Sequence, residues 1–163
     1  MLYGICNLSI IPLRSESSEA SEMVSQLLFG EHFKVLEKRK NWSKVRLHFD
    51  GYEGYLDNKQ FIEIDEENYN LLSNSETVLS SELIDFITDS NSNLSTICIG
   101  SRLPFYNNKK IKVNTEDFTY EGNIINKKLD KELIIDLASK YENDFSKKYK
   151  PTIDIENNRL LFD

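Results

Sequence analysis

The sequence predicts a mainly β protein: two small barrels joined by a short helix and followed by a C-terminal helix and tail. Three observations carry this expectation. Apolar residues recur at every second position in runs such as "HFKVLEK" and "WSKVRLHF", the spacing of half-buried strands. Glycines and Ser/Asn/Asp clusters punctuate those runs, with Gly30, Gly51, Gly54 and Gly100 at the junctions, as turns require. Helical signals are confined to "DEENYNLLSNSE" and "DKELIIDLASKYENDF".

Residues 1–64 make the first barrel. "YGICNLSIIPLR" reads as one opening strand closed by Pro12, and "RSESSEASE" as a polar loop that cannot bury itself. Gly30 interrupts "QLLFGEHF" as at a bend or bulge. "HFKVLEK" puts Phe33 and Val35 on one face. The turn "KRKN" then leads into "WSKVRLHF", where Trp42, Val45, Leu47 and Phe49 fall nearly in step. Gly51 and Gly54 bracket a turn of the kind that needs positive φ, completing a five-stranded, strongly bent barrel.

Residues 65–76 read as a linking helix with Asp65 as N-cap, Glu66 and Glu67 in the first turn, and Leu71 and Leu72 behind Tyr69. Residues 77–126 repeat the β pattern more loosely in "ELIDFITD", "LSTICIGS", "KIKV" and "DFTYEGNII". Turns fall at "SNSN" and "YNNKK", and Gly100 and Pro104 take the place of Gly30. Residues 127–163 begin with a helix carrying Leu133, Ile134, Leu137 and Tyr141, with Asp130 as cap. They end in a tail whose "TIDI" alternation and "ENN" turn read as a short strand or hairpin.

Composition removes several function classes. The chain of 163 residues has 27 acidic against 20 basic side chains, a net charge of -7, which argues against a nucleic-acid partner held by phosphate neutralisation. "EKRK" and "NKKIK" are short, interrupted runs that read as solvated turns. Cys6 and Cys98 stand far apart without a CxxC, so neither a metal site nor a disulfide frame is expected, and both read as small buried hydrophobes. Phosphate-binding glycine loops, zinc spacings and Gly-x-Ser-x-Gly elbows are missing from the sequence, and no cofactor is expected. The pairs Glu66/Glu67 and Glu116/Asp117 read as solvated faces. "MLYGICNLSIIPLR" lacks the pattern of a leader, and no run reaches membrane-spanning length. The expected location is cytoplasmic, or the cell envelope if a leader was removed.

Four segments occur in order over residues 2–64: "PLRSESSEAS", "QLLFGEHFKVLE", "WSKVR" and "DGYEGYL". Together they resemble a bacterial SH3-like (SH3b) domain of the cell-wall type. The second half looks like the further SH3-like module of NlpC-type cysteine peptidases, which resemble papain and cut the γ-D-glutamyl to diamino-acid bond of peptidoglycan stem peptides. In those enzymes a helix like "ELIIDLASKY" opens the catalytic domain and leads to Cys-Ser-Gly; here "ENDFSKKYKP" follows. Papain-like chemistry needs a thiolate paired with His. Cys6 and Cys98 lie inside predicted β modules, while His32 and His48 on the first barrel read as satisfied surface or rim residues. No catalytic residue is therefore assigned.

The resemblance implies a non-catalytic recognition module whose partner is a peptidoglycan stem peptide or muropeptide, or one that supplies that surface to a separately encoded partner peptidase. The alternative is a fragment of an NlpC-type endopeptidase. A third reading is a protein-interaction module in which "KPTIDIENNRLLFD" pairs with a sheet edge. In the family a Glu after the Gly of the apolar strand and a Tyr in the later Gly-Tyr turn hold the peptide's free amine. Those positions match Glu31 and Tyr52. Arg14 and Glu16, which begin the groove loop, and Trp42 at the core rim complete the candidates. Tyr55 is expected in the core, and Tyr52 either faces a ligand or packs across strands. Membrane and metal partners are not expected.

Overall fold

The structure is a computed structural model that describes residues 1–125, 151–154 and 159–162. Seven strands form the first sheet: β1 (Leu2–Ile5), β2 (Ile10–Arg14), β3 (Met23–Leu28), β4 (His32–Lys38), β5 (Trp42–Leu47), β6 (Glu53–Asp57) and β7 (Ile62–Ile64). Their order is β3-β2-β6-β5-β4-β1-β7, with every pairing antiparallel. Period-two patterning explains the layering: Phe33, Val35, Val45, Leu47 and Leu56 turn inward onto Leu13 and Leu27. Lys34, Arg46 and Glu53 take the outer face.

Several expectations for this sheet are corrected. The opening run is two strands, because Cys6 leaves the ladder: its N–H donates to Glu31 O and its own carbonyl accepts from Gly30 N–H, each at 2.8 Å. Pro12 lies inside β2, opposite Gln26. It is tolerated there because the pairing of β2 with β6 is confined to Arg14↔Tyr55, so the missing N–H falls where no ladder runs. The inward residues of β5 are Ser43, Val45 and Leu47. Trp42 is three positions from Val45 and so falls on the opposite face, while Phe49 is exposed in the turn that follows. Tyr55 likewise alternates with the buried Gly54 and Leu56, so it is half-buried on the outer face beneath the Arg39 guanidinium, 5.4 Å from the ring centroid. Gly51 does carry positive φ (72°). Gly54 instead lies in β6, where a Cβ would stand 2.6 Å from Leu13 Cγ and 2.9 Å from Arg14 O.

Helix α1 (Glu66–Asn74) follows, with the Asp65 carboxylate accepting from Asn68 N–H at 2.7 Å as its N-cap. Tyr69 and Leu72 are buried and Leu71 is exposed. Beyond it β8 (Leu79–Ser80) pairs with β13 (Ile124–Ile125). The strands β9 (Ile84–Asp89), β10 (Leu94–Cys98), β11 (Lys110–Val113) and β12 (Glu116–Tyr120) form a sheet of order β10-β9-β12-β11. The expected turns are present, with positive φ at Ser92, Asn108 and Lys109.

A second hydrophobic cluster crosses the linker. Tyr3, Ile5 and Phe29 from the first sheet pack with Tyr69 and Leu72 of α1 and with Ile87, Leu103 and Tyr120 beyond it. Gly30, with φ 79°, makes this approach close: Arg102 N–H donates to Phe29 O at 2.9 Å, and a Cβ on Gly30 would lie 2.9 Å from the Arg102 carbonyl carbon. Met1–Asn126 form one compact unit and Lys127–Asp163 another. In the second, β14 (Pro151–Asp154) and β15 (Arg159–Phe162) pair antiparallel, and the turn expected at "ENN" lies outside the described residues. The helix expected around Asp130, Leu133, Ile134, Leu137 and Tyr141 lies outside the described residues. Among the described residues no helix is long and apolar enough to cross a membrane.

Candidate functional site

The end of the first sheet where β4 begins and β5 ends gathers the chemistry. Glu31 sits in the turn after Gly30, its Oε2 accepting from Leu28 N–H at 2.9 Å, so the carboxylate is oriented by its own turn. Tyr52 follows Gly51 with its side chain outward and the residue 45% exposed. Its N–H donates to Asp50 Oδ1 at 3.0 Å and its carbonyl accepts from Leu47 N–H at 2.9 Å. His48 N–H donates to His32 O at 3.1 Å, which ties the two turns to the same end of the sheet.

The other candidates fall elsewhere. Trp42 is five residues back along β5 from Leu47, opposite Asp57, about 17 Å away at strand rise. Arg14 is turned into its loop: Nη1 donates to Ser21 O at 3.0 Å and Nη2 lies 3.6 Å from Glu19. Glu16 is exposed in that loop, and its carbonyl accepts from Ser21 Oγ at 3.0 Å.

Behind these turns lies a cluster that the sequence reading did not assemble. His32, expected at the surface or rim, is 2% exposed and stacks on His48 with ring centroids 4.4 Å apart. Its Nδ1 faces Arg102 Nη1 at 3.3 Å and its Nε2 faces Ser73 Oγ at 3.1 Å. Because the guanidinium can only donate, Nδ1 accepts and Nε2 carries the proton. The Ser73 hydroxyl in turn donates to the Tyr69 carbonyl at 2.8 Å. Burial, then the charges of Arg102 and His48, push the His32 imidazole down to about 3.

This neutral histidine makes stability depend on pH. Unfolded His32 protonates below its ordinary value of 6.5, whereas the folded form does not until about 3. The contribution is therefore fully present above 6.5 and is lost as pH falls toward 3, by about 1.4 kcal/mol per unit for one proton. Urea midpoints taken between pH 6.5 and 5 should fall accordingly. Glu37, Glu53 and Asp89 are held below their ordinary carboxylate values by hydrogen bonds from, respectively, Arg39, Arg46 and Asn93 first, so their contributions are lost at lower pH. In His32→Asn the slope over this window should be visibly shallower; an unchanged slope would assign the effect to other groups.

Beside this cluster a shallow cleft of about 230 Å³ is lined by Lys34, Arg46, Leu47, His48, Gly51 and Tyr69. Lys34 and Arg46 are cross-strand partners on the outer face of β4 and β5. Their alternation with Phe33, Val35, Val45 and Leu47 was the signal that could have found them. Among the described residues no group of His, Cys, Asp and Glu is placed to hold a metal. Burial first pushes the Cys6 thiol up to about 12, the opposite of what thiolate chemistry requires.

Residues 13–61 match the family model of the bacterial dipeptidyl-peptidase Sh3 domain. That stretch, less than half of the chain, is similar to a bacterial SH3-like domain. The family expectation drawn from "WSKVR" and "DGYEGYL" therefore holds, as does the mainly β fold. Among solved structures the chain is similar to an NlpC/P60 family protein from Bacillus cereus ATCC 10987, with a TM-score of 0.65 and 14% identity over 84% of this chain and 62% of that one. It is also similar to a novel NlpC/P60 endopeptidase from Photobacterium damselae subsp. piscicida, with a TM-score of 0.52 and 13% identity over 98% of this chain and 31% of that one. At these identities the likeness is one of fold. The chain spans about three fifths of the first relative and under a third of the second. No curated protein matches the sequence.

Proposed function

We propose that this SH3-like module recognises the free amino end of a peptidoglycan stem peptide, with Glu31 and Tyr52 as the amine-binding pair, and performs no hydrolysis itself. The observation that carries this reading is that the Glu31 turn and the Gly51–Tyr52 turn share one end of the sheet, joined through His32 and His48. A carboxylate and a phenol ring offered to an ammonium supply a charge-assisted hydrogen bond of about 1.5 to 3 kcal/mol when sheltered, plus cation–π attraction. The SH3-like domain over residues 13–61 supports a binding rather than a chemical role.

The paired test is Glu31→Gln and Tyr52→Phe, measured by calorimetry against a muropeptide with a free amine. Glu31→Gln keeps an oxygen for Leu28 N–H while removing the charge; because Glu31 also lies in the field of Arg102, the variant's amide spectrum is compared with wild type to confirm the fold. Binding should weaken about tenfold or more, as loss of a charged hydrogen bond implies. Unchanged affinity in both variants would refute the assignment of the site.

The share of each relative that is covered favours a second reading, in which this module is the front portion of a longer NlpC-type endopeptidase. Sequencing the reading frame downstream decides it: an in-frame Cys-Ser-Gly with a later His supports this reading, and a stop codon rejects it.

A further inference from the structure

We propose that the cleft between Tyr69 and the outer face of β4 and β5 is an oxyanion site, built for a carboxylate or phosphate group and held chiefly by Lys34 and Arg46. The first argument is charge. The chain as a whole carries -7, yet the side chains with ionisable or imidazole groups that line this cleft are Lys34, Arg46, His48 and Tyr69, none of them acidic.

The neighbouring carboxylates are engaged. Glu53 accepts from Arg46 Nε at 2.9 Å and Nη2 at 2.6 Å, and it also lies 3.0 Å from Lys44 Nζ. It therefore sits between two cations and cancels one of them. Asp50 Oδ1 accepts from Tyr52 N–H, and Glu66 Oε1 accepts from Tyr3 OH at 3.1 Å. Lys34 is left with the Tyr69 ring, 5.5 Å from its ammonium, and with no carboxylate partner among the described residues. A cross-strand pair of cations is destabilising in a sheet unless an anion lies between them.

The second argument is donor geometry. Glu53 occupies two of the five N–H donors of Arg46, those on Nε and Nη2, and the two on Nη1 take no part in that pair. Tyr69 OH lies 3.3 Å from His48 Nδ1. With the phenol donating to that nitrogen, the proton of His48 stays on Nε2, so a residue of the cleft lining keeps one N–H to donate. Tyr69 is itself held in place by stacking on Tyr3 at 4.3 Å and by its position in α1, so the wall is pre-formed. An oxyanion among these residues would exchange water for charge-assisted bonds from ammonium and guanidinium groups.

The site is separate from the amine-binding pair, although Gly51 joins it to Tyr52 in sequence. An amine-free anion therefore probes it alone. The experiment is an NMR titration of the whole chain with glutarate and, in a second arm, with inorganic phosphate, against chloride at matched ionic strength. The shifts followed are those of the Gly51 amide and the His48 imidazole.

The expected result is saturable shifts with at least one of the two anions and none with chloride. Saturation by glutarate alone assigns a carboxylate, and by phosphate alone a phosphate group. Lys34→Gln should weaken binding about five- to tenfold, and Lys34→Gln with Arg46→Gln should abolish saturation. Lys34 is half-buried and Arg46 exposed, and neither belongs to the buried core, so both variants should keep the wild-type amide spectrum away from the cleft. Lys112→Gln, on the exposed side of β11, should bind as wild type. Shifts that stay linear with both anions, or saturation that survives the double variant, would overturn the proposal.

Discussion

Gly30→Ala is expected to destabilise the chain by about 3 to 5 kcal/mol. Two costs combine. The residue has φ 79°, which an L side chain adopts only under strain. The added Cβ would also press on the Arg102 carbonyl, a backbone group that cannot swing aside, at the point where Arg102 N–H donates to Phe29 O. Urea unfolding followed by Trp42 fluorescence and by circular dichroism checks this. Both probes should show the same reduced midpoint, because the cluster from Tyr3 to Tyr120 is shared across α1. A loss under 1 kcal/mol would mean that the first sheet and the residues around Arg102 separate easily.

Arg102→Met is expected to cost about 2 to 4 kcal/mol. The guanidinium serves Leu72 O at 2.5 Å, Ser75 Oγ at 3.4 Å and His32 Nδ1 at 3.3 Å, thereby tying the end of α1 to the first sheet. A methionine fills much of the volume and leaves those acceptors without a donor. The variant also carries a signature that simple cavity formation lacks. Because Arg102 is one of the causes that lower His32, its removal should raise the His32 imidazole toward its ordinary value, although burial keeps it below 6.5. Imidazole proton shifts followed against pH detect this, and an unmoved His32 would contradict the electrostatic role given to Arg102.

The fold was legible wherever the two-residue period and the turn chemistry agreed. Phe33 and Val35, the Gly30 bend, the Gly51 turn, the Asp65 cap and the turns around Ser92 and Asn108 all appear as the sequence indicates. Trp42 and Tyr55 failed for one shared reason. An odd spacing from Val45 or Leu56 sends a ring to the outer face however large it is. Pro12 by itself does not mark the end of a strand, because tolerance depends on which edge of β2 is paired, a tertiary fact.

For the site, the local turns of Glu31 and Tyr52 were legible and their company was not. His32, Ser73 and Arg102 are 70 residues apart at the extremes, and no local pattern announces that a buried imidazole will meet a guanidinium. The cationic cleft is intermediate: Lys34 and Arg46 are adjacent through strand register, which the alternation encodes, but Tyr69 reaches them only through the placement of α1.

The most direct test of the recognition proposal is a calorimetric titration with L-Ala-γ-D-Glu-diaminopimelate alongside its N-acetylated form. Acetylation removes the ammonium and leaves every carboxylate, so it isolates the contact assigned to Glu31 and Tyr52 from the anion cleft. The expected result is binding of the free peptide that weakens at least tenfold on acetylation. Equal affinity for the two peptides, or no heat from either at millimolar concentration, would contradict recognition of the amine by this chain.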